Sequence, residues 1–91
     1  MERATRKVEN GKLVDVGVVI DRDAIVDVEI AGDFFAHPES VIGEIERRLR
    51  DEPIDGAHAT IQTVIDESDA TLVGVDPETI AEVIRVAGGR A

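Results

Sequence analysis

The chain has 91 residues, enough for one modest hydrophobic core and too few for a large cleft that encloses a substrate. Its 10 basic and 20 acidic residues give a formal net charge of −10, which disfavours binding to nucleic acid or to an anionic membrane surface. The sequence contains no cysteine, which excludes disulfides, thiolate nucleophiles and cysteine-held metal sites. A hydrophobic fraction of 43% is too high for a disordered acidic tail, so we expect a single domain over residues 1–91.

The charged and aromatic residues are unusual in kind as well as in number. Eight of the ten basic residues are arginine, the lysines are Lys7 and Lys12, and the only aromatic residues are Phe34 and Phe35. This composition is typical of proteins adapted to concentrated salt, which screens self-repulsion; an ordinary acidic protein is the alternative. No run approaches the roughly 20 apolar residues of a transmembrane helix. Residues 1–4 start no apolar signal core, and we expect a cytoplasmic protein.

The first third of the chain predicts an antiparallel sheet. Asn10-Gly11 is a strong signal for a two-residue hairpin turn, because both residue types tolerate a positive φ. The polar run from Thr5 to Glu9 before it suits an edge strand. The strand after the turn alternates between apolar and other residues, and its predicted core-facing residues are Val14, Val16, Val18 and Ile20.

A second turn and a third strand complete the predicted sheet. Asp21-Arg22-Asp23 reverses the chain, and residues 25–31 alternate again, with Asp27 and Glu29 facing solvent. The predicted core-facing residues of this strand are Val26, Val28 and Ile30.

The rest of the chain predicts three helices. The first has Pro38 at its first helical position and arginines in its last turn, as the helix dipole favours. The second covers about residues 57–67. The third begins at Asp76-Pro77-Glu78, which supplies a cap, a proline and an acid, and ends at Gly88-Gly89. Between the last two helices, residues 71–75 form an apolar connector that could also be a strand fragment.

Together these elements predict an α+β fold in which a three-stranded antiparallel meander packs against about three helices, in the order βββααα. The helical residues predicted to face the core are Val41, Ile42, Ile45 and Leu49 in the first helix, Ile61, Val64 and Ile65 in the second, and Ile80, Val83, Ile84 and Ala87 in the third.

The residues themselves make a weak case for catalysis. The sequence has no phosphate-binding glycine loop, no paired-histidine metal signature and no plausible nucleophile–base pair. His37 lies near Asp33, so a polar or metal site is conceivable, but two candidate ligands fall short of a metal site and an exposed loop histidine is the favoured interpretation. His58 is interpreted as a solvent-facing or locally hydrogen-bonded residue.

One segment stands out, the run Gly32-Asp33-Phe34-Phe35 directly after the third strand. Glycine permits a close approach of two backbones, and aspartate can hydrogen-bond the backbone of a turn. Both phenylalanines could fill the core of a chain that has no other aromatic residue. Alternatively, one fills the core and the other faces a partner, since aromatic side chains often anchor interfaces. The residues alone leave both alternatives open.

The hairpin at residues 10–14, the alternating strands and the run from Ala31 to Glu39 together resemble the C-terminal accessory domain of lipoate–protein ligases. In that family a hairpin leads into a third strand that ends in Gly-Asp-Phe-Phe and is followed by a helix. The resemblance covers roughly the first half of the chain, and the later helices fit in length and type. It departs from the family at the second turn, where Asp23-Ala24 stands in place of a frequent glycine. The accessory domain is similar in fold to small proteins of the SufE and NifU type.

The resemblance implies a division of labour between two chains. Some of these ligases, particularly archaeal ones, consist of a large catalytic protein and a small accessory protein, and this chain resembles the small one. The catalytic partner would bind ATP, Mg and lipoate. The accessory protein would be required for activation of lipoate to lipoyl-AMP, and less so for transfer of the lipoyl group to a lysine of acceptor proteins. We therefore expect a heterodimer in which this chain carries no catalytic residue, metal or cofactor.

We expect the docking surface at the motif and the loop that follows it, with the sheet edge near Lys12 as a second candidate. The candidate interface or motif residues are Gly32, Asp33, Phe34, Phe35, His37, Pro38 and Lys12.

Two other functions remain as alternatives. A free-standing module that binds a small molecule or regulates another protein could share this fold. An iron–sulfur scaffold or sulfur-transfer protein of the same fold needs cysteine thiolates, and the absence of cysteine nearly eliminates it.

Overall fold

Two antiparallel sheets and three α-helices are formed by residues 1–8 and 12–90, the part of the chain that the computed structural model describes. The elements in chain order are β1 (Glu2–Lys7), β2 (Leu13–Asp21), β3 (Ala24–Gly32), β4 (Phe35–His37), α1 (Ser40–Leu49), a 3₁₀ turn (Ile54–Gly56), α2 (Ala57–Ser68), β5 (Thr71–Val73) and α3 (Pro77–Ala87). The predicted α+β fold, with its three-stranded antiparallel meander and three helices, is confirmed.

The larger sheet has the strand order β1-β2-β3, and β2 forms its centre. The predicted inward face of β2 is confirmed, because Val14, Val16 and Val18 are completely buried. The edge strand begins at Glu2 rather than at Thr5, since the register with β2 extends as far as the pair of Glu2 and Val18. The predicted turn at Asn10-Gly11 lies outside the described residues.

The prediction that Val26 faces the core is wrong, because 49% of its surface is exposed. Val19 pairs with Asp27, whereas the next residue of β2 pairs with Ile25, so Val26 is an extra residue in β3. Such a bulge shifts the alternation of inward and outward residues by one position. Ile25 therefore takes the buried position, in line with Val28 and Ile30 farther along β3.

The turn between β2 and β3 has two residues, as the predicted reversal of the chain requires. Arg22 and Asp23 have φ values of 52° and 67°, which is the left-handed region that the twist of a tight hairpin favours. This geometry is common for glycine, but aspartate also adopts it. The turn thus keeps its hairpin form with Asp23-Ala24 in place of a glycine.

Helices α1 and α3 cover the inner face of the larger sheet. α3 contacts β1 and β2, α1 contacts β3, and α2 packs against both of these helices. Most of the predicted helical core residues are buried, and Ile42 and Ile65 pack partly buried against the same core. The helical residues that are buried are Val41, Ile45 and Leu49 in α1, Ala57, Ile61 and Val64 in α2, and Ile80, Ala81, Val83, Ile84 and Ala87 in α3.

The first helix begins two residues later than predicted. Its first helical residue is Ser40, and Glu39 occupies the cap position. The carbonyl oxygen of Pro38 accepts a hydrogen bond from the Val41 amide at 3.0 Å, so Pro38 belongs to the turn that leads into the helix. A further contact fixes the helix to the sheet, since the Ile30 amide donates to the Glu46 carboxylate at 2.8 Å.

The third helix begins with the predicted cap. The carboxylate of Asp76 accepts a hydrogen bond from the amide of Thr79 at 2.7 Å, and Pro77 occupies the first turn. The hydrogen bonds from Thr79 hold the pKa of the Asp76 carboxyl below its usual value of 3.8, and the nearby His58 lowers the pKa further. The ionised cap therefore stabilises the folded state.

Asp76→Ala should lower the free energy of unfolding at neutral pH by about 1 kcal/mol, because the first turn of α3 loses its cap. Denaturant unfolding monitored by circular dichroism measures this change. Asp21→Ala is the matched control, since it removes the same charge from a carboxylate with no hydrogen bond to another described residue. Equal stability of the two variants would contradict the capping role.

The effect of Asp76→Ala should also depend on pH in one direction. Because the pKa is lowered on folding, the stabilisation is present above the unfolded pKa and is lost as the pH falls through the folded pKa. The difference in unfolding free energy between the wild type and Asp76→Ala should therefore shrink in acid. A difference that grows as the pH falls would contradict this assignment.

Candidate functional site

The second sheet joins two segments that lie far apart in the sequence. β4 and β5 are antiparallel strands of three residues each, with Phe35 opposite Val73 and His37 opposite Thr71. Ala36 and Leu72, the central pair, pack partly buried against the main core. Because side chains alternate along a strand, the flanking residues project from the opposite side. We call this side the outer β4–β5 face; its residues are Phe35, His37, Thr71 and Val73, all exposed.

Gly32 allows β3 to lie very close to the start of β2. A Cβ atom on this residue would lie 2.1 Å from the carbonyl oxygen of Leu13 and 2.8 Å from the ring of Phe34. The first contact is with backbone, which cannot swing away as the end of a side chain can. The glycine at this position is therefore required by the close approach of the two strands.

Asp33, directly after the end of β3, forms two hydrogen bonds with Leu13 at the start of β2. Its amide donates a hydrogen bond to the carbonyl oxygen of Leu13 at 3.2 Å, and its carboxylate accepts one from the Leu13 amide. The side chain thus extends the ladder of β2 and β3 by one hydrogen bond beyond the last regular pair. Gly32 and Asp33, both predicted as motif residues, position the chain that precedes β4.

The two phenylalanines of the motif point in different directions. Phe34 is partly buried and packs against the core, where it also lines a shallow groove of about 280 Å³ between β4 and α1. Phe35 is 65% exposed on the outer β4–β5 face. Val73, opposite to it, is 53% exposed, and these are the two most exposed large apolar side chains among the residues that the structure describes.

Lys12 lies against this face from the loop that precedes β2. Its ammonium nitrogen is 5.3 Å from the centre of the Phe35 ring, within the range of a cation–π interaction. Its aliphatic stem passes Gly74, where a Cβ atom would lie 3.1 Å from the Lys12 Cγ. Gly74 has a φ of 91°, so this position favours glycine both for its backbone and for the room it leaves to the lysine.

The structure brings together only part of the predicted set of site residues. Lys12, Phe35 and His37 lie at the outer β4–β5 face, and Pro38 is exposed in the turn that follows it. The Asp33 carboxylate binds backbone rather than His37. Among residues 1–8 and 12–90, no three His, Asp or Glu side chains are placed to hold a metal ion. In this same part of the chain no helix is long and apolar enough to cross a membrane.

Sequence reasoning missed Val73 and Gly74 as members of this site. The apolar run at residues 71–75 indicates a possible strand, but a strand of three residues carries no signal for its partner. The exposure of Val73 follows from its pairing with Phe35, which only the three-dimensional structure shows.

Comparisons with known proteins place the chain beside one lipoylation system. No protein-family model matches it. It is 34% identical over 74 residues to lipoate-protein ligase A subunit 2 of Thermoplasma acidophilum, a match that covers 81% of this chain and 78% of that protein. It also resembles a chain in a solved archaeal lipoylation system of Thermoplasma acidophilum, which comprises a bi-partite lipoate protein ligase and its E2 lipoyl domain. That superposition has a TM-score of 0.82 and 29% identity, and it covers 93% of this chain and 96% of that chain.

Gly32→Ala should destabilise the fold by about 2 kcal/mol or more, because the added methyl group has to displace the backbone of Leu13. Gly43→Ala is the matched control, since a Cβ at that helical position meets nothing within 4 Å. The control should be neutral or stabilising by up to about 1 kcal/mol, because alanine has the higher helix propensity. Thermal and denaturant unfolding measure both variants, and a tolerated Gly32→Ala would show that the close approach is not essential.

Proposed function

The chain belongs to the family of lipoate–protein ligase A subunit 2, and we propose that it acts as the accessory subunit that enables a separate catalytic subunit to activate lipoate. The observation that carries the proposal is the identity of more than a third over most of both sequences to a protein named as the second subunit of a ligase. The agreement in fold extends over 93% of this chain and 96% of the related archaeal chain, so it is not confined to one segment.

We propose that all of the covalent chemistry takes place on the catalytic subunit. That subunit would bind ATP, Mg and lipoate and form lipoyl-AMP, with release of pyrophosphate, before the lipoyl group passes to a lysine of an acceptor protein with release of AMP. No residue of this chain is assigned a catalytic role. The acceptor proteins would be indirect partners, reached through the catalytic subunit.

The accessory subunit would act by shifting a conformational equilibrium. Docking stabilises one state of the partner's adenylate-binding loops only to the extent that it binds that state more tightly. Converting a loop from about 1% to about 99% ordered requires a difference of about 5.5 kcal/mol in binding free energy. A few well-buried interface residues, each contributing about 2 kcal/mol or more, suffice for a shift of this size.

The outer β4–β5 face is the surface that we propose for docking. It holds two of the seven candidate residues, Phe35 and His37, a third, Lys12, lies against it, and it exposes an aromatic ring of the kind that anchors interfaces. Gly32, Asp33 and Phe34 would support it from behind, because they fix the backbone that leads into β4. This division gives the motif both a structural and an interface role.

The direct test is lipoyl-AMP formation by the purified catalytic subunit with and without this chain. Adenylation is measured as the release of pyrophosphate that depends on lipoate. This release should require the chain. Transfer of the lipoyl group from preformed lipoyl-AMP to an acceptor protein should depend on it much less. Equal rates of adenylation in the two samples would contradict the proposal.

The same assay separates the roles of the two phenylalanines. Phe35→Ala should weaken stimulation of adenylation while leaving the melting temperature nearly unchanged, because the ring is mostly exposed. Phe34→Ala should lower the melting temperature, because it removes a side chain that packs against the core. Loss of stability in both variants, or full stimulation of adenylation by Phe35→Ala, would contradict the assignment of Phe35 to the interface.

A further inference from the structure

The outer β4–β5 face carries an apolar pair that the protein itself leaves uncovered. Phe35 and Val73 are direct cross-strand partners, so their side chains form one continuous apolar surface. A sheet of two three-residue strands is marginal by itself, and its inner residues already pack against the core. The exposed pair is therefore not needed to attach the sheet to the rest of the molecule.

Lys12 gives this apolar surface a fixed positive charge. Its ammonium lies over the Phe35 ring and its stem passes Gly74, the residue after β5, so the lysine lies across one end of the small sheet. Within 4 Å it forms no ion pair with another described residue. The face thus combines an aromatic ring, an aliphatic side chain and one ammonium group.

A protein that covers this face also removes water from the Lys12 ammonium. Burial of an unpaired charge is costly, whereas a carboxylate placed against the ammonium offsets that cost through a charge-assisted hydrogen bond. The surrounding chain has a net charge of −10 and repels other carboxylates, so the lysine also defines where an acidic side chain of the partner is tolerated.

A second copy of this chain fits the face poorly. In a symmetric dimer the face would pack against the same face of the second copy. Lys12 would then meet a surface that offers another ammonium group and no carboxylate. Two chains with charges of −10 also repel each other over longer distances. The occupant is therefore a different chain, and the catalytic subunit is the partner that the proposed function supplies.

We infer that the outer β4–β5 face binds a segment of the catalytic subunit that packs an apolar side chain against Phe35 and Val73 and places a carboxylate on Lys12. The inference rests on the proposed function for the identity of the partner. It adds the chemistry of the partner's segment, and it adds Val73 to the docking surface.

The test is the dissociation constant of the complex with the purified catalytic subunit, measured by calorimetry for matched pairs of variants. Val73→Ala should weaken binding about fivefold or more, whereas Val86→Ala, at an exposed apolar position on α3, should bind as the wild type does. Lys12→Glu should weaken binding about tenfold or more, and Lys12→Gln by less. Lys7→Glu and Lys7→Gln, at the other lysine, should have little effect.

The salt dependence of binding distinguishes a contact between charges from a loss of shape complementarity at the interface. The difference between Lys12→Glu and Lys12→Gln should shrink as the ionic strength rises from about 0.1 M to about 1 M, because screening weakens the repulsion of the new carboxylate. A Lys12→Glu variant that binds as tightly as the wild type or more tightly would show that the partner presents no carboxylate. That result would overturn the inference.

The remaining outcomes separate the inference from the proposed function. If the wild-type complex forms and neither Val73→Ala nor Lys12→Glu weakens it, docking takes place elsewhere and the inference fails, while the proposed function stands. If no wild-type complex forms and adenylation is not stimulated, the proposed function fails. If the chain alone forms a dimer in sedimentation velocity and Val73→Ala abolishes it, a second copy occupies the face and the inference is overturned. Melting temperatures of all the variants confirm that they are folded.

Discussion

The contact between Gly32 and the carbonyl oxygen of Leu13 determines where the rest of the candidate site lies. The approach is too close for any side chain, and the two hydrogen bonds between Asp33 and Leu13 fix it from the next residue. The end of β3 and the start of β2 are thereby held as one unit. Lys12 extends from one side of this junction and Phe34 and Phe35 from the other, so a constraint on backbone packing places an ammonium group over an aromatic ring.

The small β4–β5 sheet, which follows this junction in the chain, exposes the outer β4–β5 face. Ala36 and Leu72 attach it to the core, and the alternation of side chains then leaves Phe35 and Val73 in solvent. The same packing explains why the motif has two adjacent phenylalanines, of which one stabilises the fold and the other remains accessible. The proposed accessory role requires no catalytic group on this chain, because the proposed contribution is binding free energy supplied at one face.

The features predictable from the sequence are those with a local physical cause. The alternation of β2, the cap at Asp76 and the apolar stripes of the helices each follow from periodicity or from a known capping pattern, and the structure confirms them. The prediction for Val26 is wrong because a single extra residue in β3 reverses the alternation of inward and outward side chains, and no glycine or proline marks that position. β4 and the role of Val73 could not be predicted, since a pair of three-residue strands depends on tertiary packing. For the motif, the sequence could identify the residues but not which phenylalanine faces the core.

The central claim, that this chain acts by docking through the outer β4–β5 face, is tested most directly by amide hydrogen exchange of the chain alone and in complex with the catalytic subunit. Amides at residues 12–13, 35–37 and 71–74 should exchange more slowly in the complex, because the partner covers them, while the amides of β1 should exchange as they do in the free chain. Unchanged exchange at these three segments, with protection at β1 or at the C-terminal half of α3 instead, would contradict the account.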